Sequence, residues 1–218
     1  MFDFNLVINY LPYFLKGIGY TIGFSLFGII FGTILGFLIC LGKMSKMSWL
    51  SLPFKAYVGL CRRTPLLVQI LVINFGVVPL ILGQSNSIIA GILALSLNSS
   101  AYIAEIFRSG IQSISEGQGE AAATLGLTNT QTMLKIILPQ AIKVILPPLG
   151  NEFISLIKDS SLASVISAPE VTYWAQAMNA QYYRVWEPYL TSALIYLILT
   201  LSISGILHIF ERRMAVND

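Results

Sequence analysis

Hydrophobic positions along this chain fall in long uncharged runs rather than in alternating stripes. Residues 17–42 carry no charge. A hydrocarbon core about 30 Å thick is crossed by about 20 helical residues, so this run predicts one span with room to tilt. It is too long for a signal-peptide core and no cleavage site follows it, so the span is expected to be retained. Residues 64–104 are also uncharged, far too long for a single crossing. The turn-rich stretch Gly83-Gln84-Ser85-Asn86-Ser87 divides them into a hairpin of two spans. Residues 189–210, interrupted only by His208, predict a last span. A weaker candidate, roughly 141–157, contains Lys143, Pro147, Pro148, Asn151 and Glu152.

Basic residues decide whether to keep that weaker candidate, because Lys and Arg accumulate in short cytoplasmic loops. With five spans, one side receives Lys43, Lys46, Lys55, Arg108, Lys135, Lys143, Arg212 and Arg213, and the other only Lys16, Lys158 and Arg184. Arg62 and Arg63 fall near the inner end of the second span. Five spans with the N-terminus outside and the C-terminus in the cytoplasm fit this asymmetry, whereas four spans would separate the basic C-terminus from the first basic loop. The expected fold is an all-α integral membrane protein with five transmembrane helices, residues 1–218 forming one transmembrane domain.

Composition agrees. The 218 residues are 56% hydrophobic and 11% charged, against about 25% charged in soluble domains. That excludes a disordered chain or an ordinary cytosolic enzyme. A net charge of +3 from 13 basic residues is too dilute for nucleic-acid binding. Cys40 and Cys61, with no CxxC spacing, read as packing residues, and no metal site is expected with a single histidine. No GxxxxGK[ST] motif is present to hold ATP phosphates, and no Ser/His/acid set is credible. Gly28, Gly32 and Gly36 share one helical face that lets another backbone approach. Trp49, Trp174 and Trp186 read as interfacial anchors.

The segment between the third and fourth spans reads Glu120-Ala121-Ala122-Ala123-Thr124-Leu125-Gly126, then nine residues, then Ile136-Ile137-Leu138-Pro139. This resembles the EAA signature of ABC-importer permeases, EAA-x3-G-x9-I-x-LP, at every fixed position. Arg63-Thr64-Pro65-Leu66-Leu67-Val68-Gln69, Asn98 to Glu105, Gly150 to Ile154 and Lys158 to Leu162 look like the polar amino-acid subfamily. One departure is Arg62-Arg63-Thr64-Pro65, where many relatives carry Arg-Gly-Thr-Pro. The resemblance implies a bacterial plasma-membrane assembly. This chain would pair with a second permease copy or homologue and with cytoplasmic ABC ATPase subunits, fed by an extracytoplasmic amino-acid-binding protein. ATP would be bound by the partner ATPase, with no cofactor on this chain. By the same resemblance, Glu120, Ala121, Ala122 and Gly126 would belong to a cytoplasmic coupling helix docked on the ATPase. A stand-alone secondary transporter or channel for small polar solutes is the competing reading, although no internal repeat of the kind such transporters often show is evident.

Polar residues within a membrane mark pathways. Glu152, Ser155 and Asp159 lie at i, i+3 and i+7 on one face of the fourth span, with Asn151 and Lys158 on the adjacent line. Asn98, Tyr102 and Glu105 repeat the spacing in the third. Two facing stripes would make a path for an amino acid, with Glu152 accepting its ammonium and Arg63, Thr64, Gln69 and Asn98 donating to its carboxylate. Local pairing of Glu105 with Arg108 and of Lys158 with Asp159 is the plainer alternative for those four. Glu152 favours cationic side chains, unless Lys158 already compensates it, in which case glutamine or cystine would suit the path.

Overall fold

The structure, a computed structural model, describes residues 2–215, with side chains through residue 209. Arg212 and Arg213, counted above for orientation, have side chains outside the described residues. Helix α1 (Phe4–Lys43) starts where the Asp3 carboxylate accepts the Asn5 amide at 3.0 Å, an ordinary N-cap. Its 40 residues give a length of about 60 Å, so the helix begins well before the uncharged run. After α2 (Ser48–Arg63) the chain turns and continues as α3 (Leu66–Val72), a π-helical turn (Ile73–Val77) and α4 (Val78–Leu82). Helix α5 (Ser87–Gln112) follows, capped by the Asn86 side chain. Two short helices, α6 (Glu116–Thr124) and α7 (Asn129–Thr132), lead through a second π turn into α8 (Leu138–Asp159) and a 3₁₀ segment (Ser160–Ile166). Helices α9 (Val171–Tyr182) and α10 (Trp186–Ala215) complete the order.

Among the described residues, four stretches are long and apolar enough to cross a membrane: Phe4–Lys43, Ser87–Gln112, Asn129–Ile166 and Trp186–Ile209. The bent pair Ser48–Arg63 with Leu66–Leu82, turning by 109°, makes a fifth if it is counted as one broken span. This corrects the reading of the second span as a simple helix opening near Thr64. A residue before proline is driven out of the α region, and Thr64 sits at φ −107°, ψ 144°, so α2 stops there. Arg63 is the last residue of α2 and does not adopt a positive φ. The bend therefore does not require a glycine at position 63. The fourth span is also longer than 141–157, because α7, the π turn and α8 run on continuously, with Pro139 in the first turn of α8 where no amide is needed.

Helices α1 and α5 form the centre. A Cβ at Gly36 would lie 2.9 Å from Ile103 and from the Ser100 carbonyl, and one at Gly32 would overlap Ser99 Oγ. The small-residue face is thus the contact surface. The end of α2 packs beside it, Val58 and Cys61 against Ile39, Cys40, Ala101 and Ala104. Both cysteines are buried and free.

The segment read as the loop 158–188 holds α9, whose Val171, Ala175 and Met178 pack on Tyr10 and Phe14 of α1. Trp174 packs partly buried against that cluster, whereas Trp49 and Trp186 are exposed. Glu170 caps α9, its carboxylate accepting the Thr172 and Tyr173 amides at 2.8 and 2.7 Å and the Tyr196 hydroxyl of α10. Burial pushes this carboxyl up to about 7, against the pull of those hydrogen bonds.

Replacing Gly36 by Val should lower the thermal midpoint of the detergent-purified protein, since overpacking costs about 1–3 kcal/mol. Gly23→Ala, where nothing lies within 4 Å of the added Cβ, should leave the midpoint unchanged or raise it. A Gly36→Val protein melting with the wild type would contradict the close α1–α5 contact.

Candidate functional site

The bend after α2 creates a hydrogen-bonding deficit. In a continuous helix the Cys61 carbonyl would accept from the residue four positions on, but that residue is Pro65, which has no N–H. Gln69 Nε2 supplies the missing donor at 2.9 Å. The same amide nitrogen reaches Thr64 Oγ1 at 2.8 Å and the Thr64 carbonyl at 3.2 Å. From α5, Asn98 Nδ2 donates to Gln69 Oε1 at 3.0 Å and approaches the Cys61 carbonyl at 3.5 Å. Tyr57 ties α2 to α5 again, donating to the Leu97 carbonyl at 2.8 Å. The break is held by side chains of the segment that follows it and of the helix beside it.

Directly against this break is a cavity of about 300 Å³ lined by Thr64, Leu66, Asn98, Tyr102, Glu152, Ser155 and Asp159. Six residues singled out in the sequence therefore share one chamber. Among the described residues, neither the Glu152 nor the Asp159 carboxylate has an ion pair or hydrogen bond. Gln69 stands behind the chamber wall and holds Asn98. Arg63 lines a neighbouring cavity of about 480 Å³ with Lys43, Lys55, Arg62, Tyr102 and Glu105. Asn151 and Lys158 do not line the chamber; both are exposed on α8. Each precedes a chamber residue by one position, and a helix turns about 100° per residue, which carries them off the face.

A third cavity, about 360 Å³, joins the other two through Tyr102, Glu105, Arg62 and Glu152. Together the three make one polar strip from Asp159 to Lys43. Glu105 is neutralised within it, bonded to Lys43 of α1 and to Arg108 at 2.8 Å. The local pairing of Glu105 with Arg108 is present, and no ion pair joins Lys158 to Asp159 among the described residues. Sequence reasoning passed over Arg62, whose guanidinium lies 5.3 Å from the centre of the Tyr102 ring. Its signal was the Arg62-Arg63 pair one step before a breaking Thr-Pro.

The second group of sequence-predicted residues lies elsewhere. Helix α6 starts at Glu116, earlier than expected, and includes Glu120, Ala121 and Ala122. Ala122 is buried while Glu120, Ala121 and the large Leu125 stay exposed. Gly126 has φ 77°, and its amide and that of Leu127 bond back to the carbonyls of Ala123 and Ala122 at 3.0 and 3.1 Å. This is a Schellman termination, which favours glycine at that position. Thr128 and Gln131 then form a reciprocal capping box for α7. Among the described residues no cluster of three metal-ligating side chains occurs.

The chain as a whole is similar to known proteins. Residues 28–216 match the family described as binding-protein-dependent transport system inner membrane component. The chain is 43% identical over 196 residues to a probable amino-acid ABC transporter permease protein of Bacillus subtilis, covering 90% of this chain and 86% of that protein. It is 41% identical over 207 residues to an L-cystine transport system permease protein of the same organism, covering 94% and 88%. A solved amino acid ABC transporter with histidines superposes with a TM-score of 0.92 at 42% identity, over 98% of this chain and 99% of that one.

Proposed function

The chain belongs to the family of binding-protein-dependent transport system inner membrane components and is a membrane permease subunit of an amino-acid ABC importer; we propose that it moves polar amino acids, cationic ones preferentially, along the strip from Asp159 to Lys43. The observation that carries this reading is the chamber holding two unpaired carboxylates beside the Thr64 hydroxyl and Asn98 amide. An unpaired intramembrane carboxylate is costly, and a substrate ammonium within about 4 Å offsets that cost in a medium of low effective dielectric. Every amino acid brings one ammonium, and a basic side chain brings a second for the second carboxylate. The solved amino acid ABC transporter with histidines is similar in fold and sequence, and histidine is among the polar amino acids this reading covers.

In this reading the Lys43 end faces the cytoplasm and the N-terminus lies outside. A second permease copy or homologue closes the strip, and an extracytoplasmic binding protein delivers the substrate. ATP is bound by partner ATPase subunits. Helix α6 presents Glu120 and Ala121 to that ATPase and transmits its closure as a rigid-body movement, for which the Gly126 termination fixes the exit direction of the chain.

Uptake into proteoliposomes, driven by ATP and the binding protein, tests the substrate class. Labelled arginine uptake should be competed by arginine and histidine, and Glu152→Gln should reduce it at least about tenfold, the equivalent of about 1.4 kcal/mol. Competition by glutamate but not by arginine or histidine, or full uptake by Glu152→Gln, would reject the assignment.

Coupling is tested at Gly126. A side chain there meets no steric obstacle, so only the left-handed backbone opposes it, at about 1–2 kcal/mol. Gly126→Leu should uncouple hydrolysis from uptake or prevent ATPase assembly, while Gly126→Asn, which tolerates that conformation, should retain coupling. Equal behaviour of the two variants would count against the role.

A further inference from the structure

The three joined cavities are not electrically uniform. The chamber at the bend contains Glu152 and Asp159 and no basic residue in its lining. The cavity at the opposite end contains Lys43, Lys55, Arg62 and Arg63 against Glu105 alone, and Glu105 is already bonded to Lys43 and Arg108. The division falls at Tyr102, which lines all three cavities. The face of its ring is occupied by the Arg62 guanidinium at 5.3 Å. A cation held by the acidic chamber thus meets, on its way toward Lys43, an aromatic ring whose cation-binding face is taken. Beyond the ring lies a region of net positive charge.

We propose that Arg62 stacked on Tyr102 is an electrostatic gate that closes the acidic chamber to cations arriving from the Lys43 end. This deepens the transport reading and rests on it, since a barrier to cations has a purpose only if the strip carries solute. The gate is mechanically connected to the bend. Arg62 lies two residues before Thr64 on α2, whereas Tyr102 lies on α5, four residues from the Asn98 that holds the bend. Any change in the angle between α2 and α3 shifts Arg62 against a ring that stays with α5. Opening the gate is therefore a swing of α2, which also carries Thr64 at the edge of the chamber. Arg63, Lys55 and Lys43 extend the positive region but do not stack on Tyr102, so the barrier concentrates at Arg62.

The test uses the complex with its ATPase partners, with Cys40 and Cys61 replaced by Ala and Ser155 by Cys. Two methanethiosulfonates, one trimethylammonium and one sulfonate, are added in turn from the ATPase side. The ratio of their labelling rates at position 155 reads the barrier independently of which amino acid is carried. Changing Arg62 to Gln should raise the cation's rate relative to the anion's by about tenfold, as expected for removal of one charge at low effective dielectric. Arg62→Lys should keep the ratio within about threefold of the starting protein. An unchanged ratio in Arg62→Gln overturns the gate, and so does an equal acceleration of both reagents, which would make Arg62 a steric plug. Failure of the cationic-substrate reading would appear instead as arginine-insensitive uptake, with the labelling ratio still responding to Arg62.

Discussion

A carbonyl without a partner inside a membrane governs this structure. Lipid has no water to satisfy a freed backbone group, and each such group costs several kcal/mol. Pro65 removes the amide that Cys61 would have used, so a broken span is tolerable here only if other groups bond the carbonyl. Gln69 and Asn98 do so at 2.9 and 3.5 Å, and by bonding each other they fix where α3 leaves α2 and where both sit on α5. The 109° turn is held by that small network together with the packing of Val58 and Cys61 on α1 and α5.

The functional strip follows from the same fixed point. Asn98, which holds the bend, also lines the acidic chamber, and Tyr102 one turn further along α5 faces Arg62. Helix α8 supplies Glu152, Ser155 and Asp159 on the face opposite. The close α1–α5 contact made by Gly28, Gly32 and Gly36 ties α5 to α1. Helix α2 packs on both through Val58 and Cys61. At the Ser87 end, Glu170 buries its carboxylate to cap α9 and receive Tyr196, which ties α1, α9 and α10 together. One end of the bundle is thereby rigid, while the other carries the charged strip and α6.

Much of this was legible in residue order, for identifiable reasons. Uncharged runs mark the spans because charge is excluded from hydrocarbon. Spacings of three, four and seven placed Glu152, Ser155 and Asp159 on one face, and Asn98 and Tyr102 opposite them, as the chamber has them. What was illegible depended on three-dimensional partners. Thr64-Pro65 announced an interruption, but not that α2 would precede it as a helix turned by 109° from the segment that follows. Nor did it show that Gln69 would bond the Cys61 carbonyl across the break. Asn151 and Lys158 are polar and adjacent to chamber residues in sequence, yet one helical step turns them away. Nothing in the sequence marks Glu170, because its burial depends on Tyr196, distant in sequence.

The most direct test of the account is a distance across the bend. Spin labels at Leu52 on α2 and Leu80 on α4, both exposed, can be measured by pulsed dipolar spectroscopy in nanodiscs, with Cys40 and Cys61 replaced by Ala. The native network should give one narrow distribution well short of the about 42 Å that a continuous helix would span. Changing Gln69 to Leu should broaden it as the Cys61 carbonyl loses its donor. A distribution near the continuous-helix length, or one that Gln69→Leu leaves narrow and unshifted, would contradict the account.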